Sequence, residues 1–538
     1  LGIADGIALA NKLDKNPKAT FVFSGDGGAS EGDFHEALNV AAVWQLPVIF
    51  GIENNHWGLS TPSSEQFRCE HFVDKAKGYG FDEGDAIIVD GNNIIDVYKH
   101  VKRAAEEMRK RPRPIMLEFK TFRMRGHEEA SGTKYYPEGL IDHWEQFDPV
   151  VNFEQFMLEK AFVTQEEVDD IRAEIKQNIE EALKASHALP TVTADTANEV
   201  DRLFVQDLPA LTPPSSGTSE MRFIDALSDG LRESMRKHDN LVLMGQDIAE
   251  YGGVFKLTEG FVEEFGKDRV RNTPLCESAI IGAGLGLSIK GKKAMVEMQF
   301  ADFVTCGFNQ IINNLAKLHF RWEENADVVV RMPTGAGVGA GPFHSQSNEA
   351  WFFHTPGLKI AYPAFPEDAK GLLCRSFEDP NPVLFFEHKA LYRSVSGEVP
   401  AGYYSLPFGK ANLLREGSQV SIIAYGMGVH WALKTLDDHP EISADLIDLR
   451  TLAPLDTETI YASVRKTGKA IVLHEDCLTG GIGGEISALI HENCFEELDA
   501  PVQRCASLDT PVPFAVPLEN NFLANARFEE MLQQLLSF

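Results

Sequence analysis

An apolar run at Thr20–Ser24 leads into Gly25-Asp26-Gly27-Gly28-Ala29-Ser30-Glu31-Gly32. A helix pattern follows over Phe34–Trp44, then a second apolar run, Pro47–Ile52, which ends in Glu53-Asn54-Asn55-His56-Trp57-Gly58. This strand, glycine turn, helix and strand succession constrains the chain more than any other feature. Two strands joined by a helical crossover pair in parallel, whereas antiparallel neighbours need only a short turn. Both carboxyl ends then reach one sheet edge and bring Asp26 and Asn55 with them. Glycine amides at a helix start let a phosphate approach closely, and the helix dipole favours its charge. A plain strand–helix turn accounts for the glycines equally well. No Gly-Lys-Ser/Thr follows, so this is not a Walker loop, and Ser30 stands where a dinucleotide fingerprint needs its third glycine. A carboxylate, an amide oxygen and a backbone carbonyl are hard ligands suited to Mg²⁺ holding a diphosphate.

The same alternation continues through Ala86–Val89, a helix over Asp96–Lys110 and Ile115–Phe119. It returns at Leu241–Met244, Ala294–Met298 and Val328–Arg331, and a third time at Val420–Tyr425, Ala444–Leu449 and Ala470–His474. Strands separated by helices imply parallel, helix-covered sheets, hence an α/β chain. Residues 164–186 read as a charged amphipathic helix with Thr164 and Glu167 forming a capping box. Proline, serine and glycine concentrate at Asp207–Ser219, the clearest flexible joint. At 538 residues the chain exceeds one domain. The expected division is 1–195, a joint at 196–219, then 220–405 and 406–538. The chain opens without methionine, inside a helix pattern with Ile3, Ile7, Ala10 and Leu13 on one side, and further upstream sequence is expected.

A net charge of −30 argues against nucleic-acid binding and against docking on anionic membranes. It suits a basic protein partner, or serves solubility alone. Seven cysteines without a CxxC pair suggest a reducing compartment, taken as cytoplasmic, and neither a disulfide framework nor a zinc site. No apolar run reaches the ~18 residues of a membrane-spanning helix.

Further motifs fall at the ends of these patterns. Phe122-Arg123-Met124-Arg125-Gly126-His127-Glu128 follows one strand pattern. Asn272-Thr273-Pro274-Leu275-Cys276-Glu277 precedes a glycine-rich helix, Ala279–Leu287, where burial would raise the pKa of Glu277 and fit it for proton exchange. His344-Ser345-Gln346-Ser347 follows the Gly335–Gly341 loop.

Taken in order, the Gly-Asp-Gly turn, the paired asparagines, the Arg123–His127 loop, the TPxxE segment and the His-Ser-Gln motif resemble the thiamine-diphosphate-dependent 2-oxoacid dehydrogenases. The likeness is to their decarboxylating component with its α and β subunits fused, and it covers nearly the whole chain. It implies two thiamine-diphosphate-binding parallel-sheet domains and a transketolase-type C-terminal domain. Carried over, Asp26, Asn55 and the Trp57 carbonyl bind Mg²⁺, Gly27 and Gly28 line the diphosphate, and Arg123 contacts it. Tyr is usual where Trp57 stands, a change that a carbonyl ligand tolerates. Leu275, Glu277 and Gln299 belong to the pyrimidine side, with Glu277 exchanging a proton with the ring. His127 and His344 face the reaction centre. Animal relatives carry a phosphorylated serine directly after the histidine corresponding to His127; Glu128 stands here and puts that control in doubt. Asp379-Pro380-Asn381-Pro382 resembles a turn holding a monovalent cation in some relatives, and a proline turn explains it as well.

The implied reaction is oxidative decarboxylation of a 2-oxoacid, with acyl transfer to the lipoyl group of a partner acyltransferase. The implied assembly is a homodimer. Ser60–Gln66, Gln299–Asp302 and Leu478–Gly481 read more like the branched-chain members, with pyruvate or acetoin as the alternative. A transketolase would use the same cofactor without lipoyl transfer, and a scaffold without catalysis would not need Asp26, Asn55, Glu277 and both histidines.

Overall fold

Each stretch of strand–helix alternation closes into its own largely parallel sheet in the computed structural model, which describes residues 1–538. The chain divides into two compact units, Leu1–Val200 and Asp201–Phe538. An α/β architecture with parallel sheets is what the alternation requires.

In the first unit four strands run in the order Thr20–Gly25, Val48–Asn54, Ile115–Lys120, Ala86–Asp90, every pair parallel. Gly25 pairs with Glu53, so Asp26 and Asn55 leave the sheet at the same edge. The helix read from Asp96 starts at Ile94, because the Asn93 side chain accepts from the amides of Ile95 and Asp96 and caps it. The first helix, Gly2–Leu13, corrects the expected face: Ile3, Ile7 and Leu13 stay partly exposed, while Ala4, Asp5, Ala8, Leu9 and Ala10 are buried. Small side chains let this helix lie close against its neighbours, which the larger isoleucines would prevent. The long helix is Gln165–His187, and the Thr164–Glu167 capping box forms in both directions. Its apolar stripe, Ile171, Ile175, Ile179 and Leu183, is exposed.

The second unit holds two sheets. Seven strands run Thr451–Ala453, Lys359–Ala361, Val383–His388, Val328–Thr334, Lys293–Glu297, Leu241–Gly245, Val270–Asn272. Only the Thr451–Ala453 edge is antiparallel, and it comes from the C-terminal part of the chain, which so adds a strand to the first sheet of this unit. Five strands, Asn412–Arg415, Ala444–Asp448, Val420–Ala424, Ala470–Cys477 and Gln503–Ser507, make the second sheet. In this sheet Gly481 and Gly483 press on the buried His474 ring: a Cβ at Gly483 would stand 2.7 Å from Nε2, which accepts from the Gly483 amide.

The stretch read as a flexible joint is pinned to the second unit, which corrects its flexibility. Val205 exchanges two hydrogen bonds with the Asn381 side chain, Arg375 donates to the Pro209 carbonyl, and Thr212 and Ser405 bond each other. Thr218–Arg222 is a strand paired with Ser396–Pro400. Backbone groups that lose water where a segment docks on a surface need protein partners of this kind. The Asp379–Pro382 turn serves this anchoring: Asp379 accepts from Asn381 and from the Lys359 ammonium.

Candidate functional site

At the carboxyl edge of the first sheet, Asp26 is 2% exposed. One carboxylate oxygen accepts from the Gly27 amide at 3.1 Å, and Oδ2 has no hydrogen-bond partner. Burial raises the Asp26 pKa, against the amides of Gly27 and Trp57 and the charge of Arg123. A buried carboxylate oxygen left unsatisfied is costly, so this atom is disposed towards a cation. Asn55 follows the adjacent strand, and its Oδ1 accepts from the Trp57 amide at 3.0 Å, with a second lone pair to spare. The donor set is all oxygen, as Mg²⁺ chemistry requires. Gly27 has a packing reason of its own: a Cβ there would meet the Gly58 Cα at 3.0 Å, so the two edge turns approach backbone to backbone.

Arg123 and His127 come together on the loop after the Ile115–Lys120 strand, where the guanidinium Nη1 donates to His127 Nδ1 at 3.2 Å. Arg123 also donates to the Leu59 carbonyl and the Tyr135 hydroxyl, at 2.6 and 2.8 Å. His127 itself is exposed. An aromatic group not foreseen from the sequence steadies this loop: the Trp57 ring lies 5.8 Å from Tyr135 and 5.2 Å from Tyr136, which also contacts Phe122. The Tyr136 hydroxyl donates to the Arg123 carbonyl at 3.0 Å. The adjacent Tyr135-Tyr136 pair was the available signal.

In the second unit, Glu277 occupies the first position of the Glu277–Ile289 helix, two residues before the helix expected from its glycines. It is partly exposed, which corrects the expectation of burial: the first turn faces the carboxyl edge of the sheet, and no element of this unit covers it fully. Leu275, just before it, is 78% exposed. The Gln246 amide donates to Glu277 Oε1 at 2.9 Å. Gln246 directly follows the Leu241–Gly245 strand, and the sequence reading passed over it. Its neighbour Asp247 has φ +61° and accepts from Gln299 at 3.0 Å. A non-glycine residue in this region stores local strain, and such positions gather at functional edges.

Segment Ala301–Gly307 links these residues to the His-Ser-Gln motif. Gly307 lies under the Glu277 helix, where a Cβ would stand 3.2 Å from the Glu277 carbonyl oxygen. His344 packs edge-on against Phe300 and Phe303, with centroids 4.9 and 5.6 Å apart. Gln346 donates twice to Asp302 and fixes the motif there. Beneath this edge Arg331 is fully buried between Glu297 and Glu387, donating to Glu387 at 2.5 and 2.6 Å. Burial pushes Glu297 up to about 7, with Arg331 opposing.

Comparison with known proteins follows this division. Residues 1–195 match the dehydrogenase E1 component model, 219–395 the transketolase pyrimidine-binding domain and 409–527 the transketolase C-terminal domain. The chain is 45% identical over 326 residues to the 2-oxoisovalerate dehydrogenase subunit beta of Bacillus subtilis (strain 168), covering 60% of this chain and all of that one. The mitochondrial 2-oxoisovalerate dehydrogenase subunit beta of Dictyostelium discoideum is 43% identical, covering 57% of this chain and 84% of its own length. The pyruvate dehydrogenase E1 component subunit beta of Bacillus subtilis (strain 168) is 42% identical, covering 55% of this chain and 93% of that one. The chain therefore belongs to the thiamine-diphosphate-dependent 2-oxoacid dehydrogenase E1 family, with its α-type and β-type parts carried on one polypeptide.

Proposed function

We propose that this chain decarboxylates branched-chain 2-oxoacids oxidatively and passes the acyl group to a lipoyl-bearing acyltransferase, the reaction of a 3-methyl-2-oxobutanoate dehydrogenase. The observation that carries the reading is the buried, unpartnered Asp26 oxygen beside the Asn55 amide, at a glycine-built edge with Arg123 alongside. In this reading Asp26 Oδ2, Asn55 Oδ1 and the Trp57 carbonyl hold Mg²⁺. Gly27, Gly28 and Arg123 then receive the diphosphate. Thiamine diphosphate, when bound, supplies a carbon nucleophile for the 2-oxo group and an electron sink for the loss of carbon dioxide. Leu275, Glu277 and Gln299 would hold the pyrimidine side of the cofactor, and the Glu277 carboxyl would exchange a proton with it. His127 and His344, facing the reaction centre, would hold or move a proton during acyl transfer to the lipoyl group. The working form in this proposal is a homodimer.

Within Bacillus subtilis (strain 168) the 2-oxoisovalerate subunit is 45% identical and the pyruvate subunit 42%, a margin that supports the branched-chain preference and keeps pyruvate as the second reading. The test is decarboxylation of a panel of 2-oxoacids by the full chain, with an artificial electron acceptor and then with a lipoyl domain. Highest kcat/KM for 3-methyl-2-oxobutanoate and acylation of the lipoyl domain are expected. A higher value for pyruvate would replace the substrate, and ketol transfer without lipoyl acylation would replace the reaction.

A further inference from the structure

The bond between Gln246 and Glu277 joins two residues from different elements, one at a strand end and one at a helix start. Gln246 is 6% exposed, so its amide is held in place. Resting on the reading of Glu277 as the proton-exchanging acid, we propose that Gln246 is the positioning residue for that carboxyl group. Its Nε2 donates to Oε1 and leaves Oε2 outside the bond, which fixes the rotation of the carboxyl and presents one oxygen to the ring nitrogen.

The chemical type of the partner matters as much as its place. An amide neither gains nor loses a proton near neutral pH, so the proton held by Glu277 has no second acid to be shared with through this bond. A carboxyl at 246 would make a pair of acids that bind one proton between them. Lysine at 246 would fix Glu277 as an ion pair and oppose its protonation. Glutamine supplies a directional donor with neither consequence. Gly245 enforces the approach: a Cβ there would meet the Glu297 Cβ at 2.9 Å, so the strand end lies tight against its neighbour and carries Gln246 with it.

The experiment compares Gln246→Met, which keeps length and loses the donor, with Gln246→Leu and Glu277→Gln in the full chain. Three readouts are taken: exchange of the thiazolium proton of bound cofactor, cofactor affinity and thermal midpoint. A hydrogen bond to a charged or charge-sharing group is worth enough to slow exchange about 10- to 100-fold in Gln246→Met. Cofactor affinity should change less than about threefold, because fixing a rotation acts on proton transfer more than on binding. Placed on the Glu277→Gln background, Gln246→Met should slow exchange no further, since the group that it positions is already gone. Unchanged exchange in a folded Gln246→Met, or an equal additional loss on both backgrounds, would overturn the proposal. Failure of both Gln246→Met and Gln246→Leu to fold would also overturn it, because the amide would then be part of the framework. If Glu277→Gln itself exchanges at the native rate, the assignment of Glu277 falls, and the proposal with it.

Discussion

Replacing Asp26 by asparagine should move stability and cofactor binding in opposite directions. The carboxylate is buried, with one oxygen bonded to the Gly27 amide and the other unpartnered. Without cofactor it is an uncompensated charge, and an unsatisfied buried group costs about 1–3 kcal/mol, more when charged. Asparagine keeps the Oδ1 bond and removes the charge, though its amide nitrogen then stands unpaired. The net gain should be about 1 kcal/mol, or a midpoint roughly 2–4 °C higher for a unit of this size. With cofactor and Mg²⁺ at about one hundred times Kd, the native chain gains about 2.7 kcal/mol, and the variant, lacking its anionic ligand, gains almost none. Acidity adds a second signature. Burial raises the Asp26 pKa above its ordinary 3.8, so between the two values the folded state binds more protons than the unfolded state. Cofactor-free stability from this group is therefore present below 3.8 and lost as pH rises through the folded value, a slope that Asp26→Asn should lack. Differential scanning fluorimetry with and without cofactor, across pH, measures all of this. A variant that melts lower than the native chain without cofactor, or that keeps the full cofactor-induced shift, would refute the reasoning.

Arg331→Met should destabilise the second unit by about 3–5 kcal/mol, since Glu297 and Glu387 would lose their shared counter-charge in the core; urea unfolding measures it. His474 is pushed down to about 4 by burial, from an ordinary 6.5. The unfolded chain binds the proton first, so stability is complete above 6.5 and falls by roughly 3 kcal/mol towards pH 4, as unfolding at stepped pH should show. Asn381→Ala removes both bonds to Val205, and trypsin should cut at Arg202 about 5- to 30-fold faster, with the fold of the rest intact by circular dichroism.

The sequence disclosed what depends on local pattern. The Asp26–Asn55 edge followed from one parallel crossover, and the Thr164 cap from a four-residue signature. Hidden were the contacts that only tertiary packing creates. Gln246 and Glu277 lie 31 positions apart, and nothing in either segment announces a bond between them. The first helix misled because its larger residues suggested the buried side, whereas close packing selected the alanines. The proline-rich stretch looked free because its composition is that of a tether, yet its partners lie 166 to 193 residues further along. The burial assigned to Glu277 failed for a related reason: neighbouring glycines mark a closely packed helix body, while its first turn opens at the sheet edge.

The Arg331 cluster has a consequence for how such a chain diverges. Three positions on three neighbouring strands share one charge balance, and Tyr392 adds a bond of 2.6 Å to Glu387. Loss of the arginine alone leaves two buried carboxyls without a counter-charge, an imbalance that would consume much of the 5–15 kcal/mol that typically holds a domain together, whereas loss of one acid leaves a balanced pair. Lineages carrying this trio should therefore keep the arginine as long as both acids stay, and lose an acid before they lose the arginine.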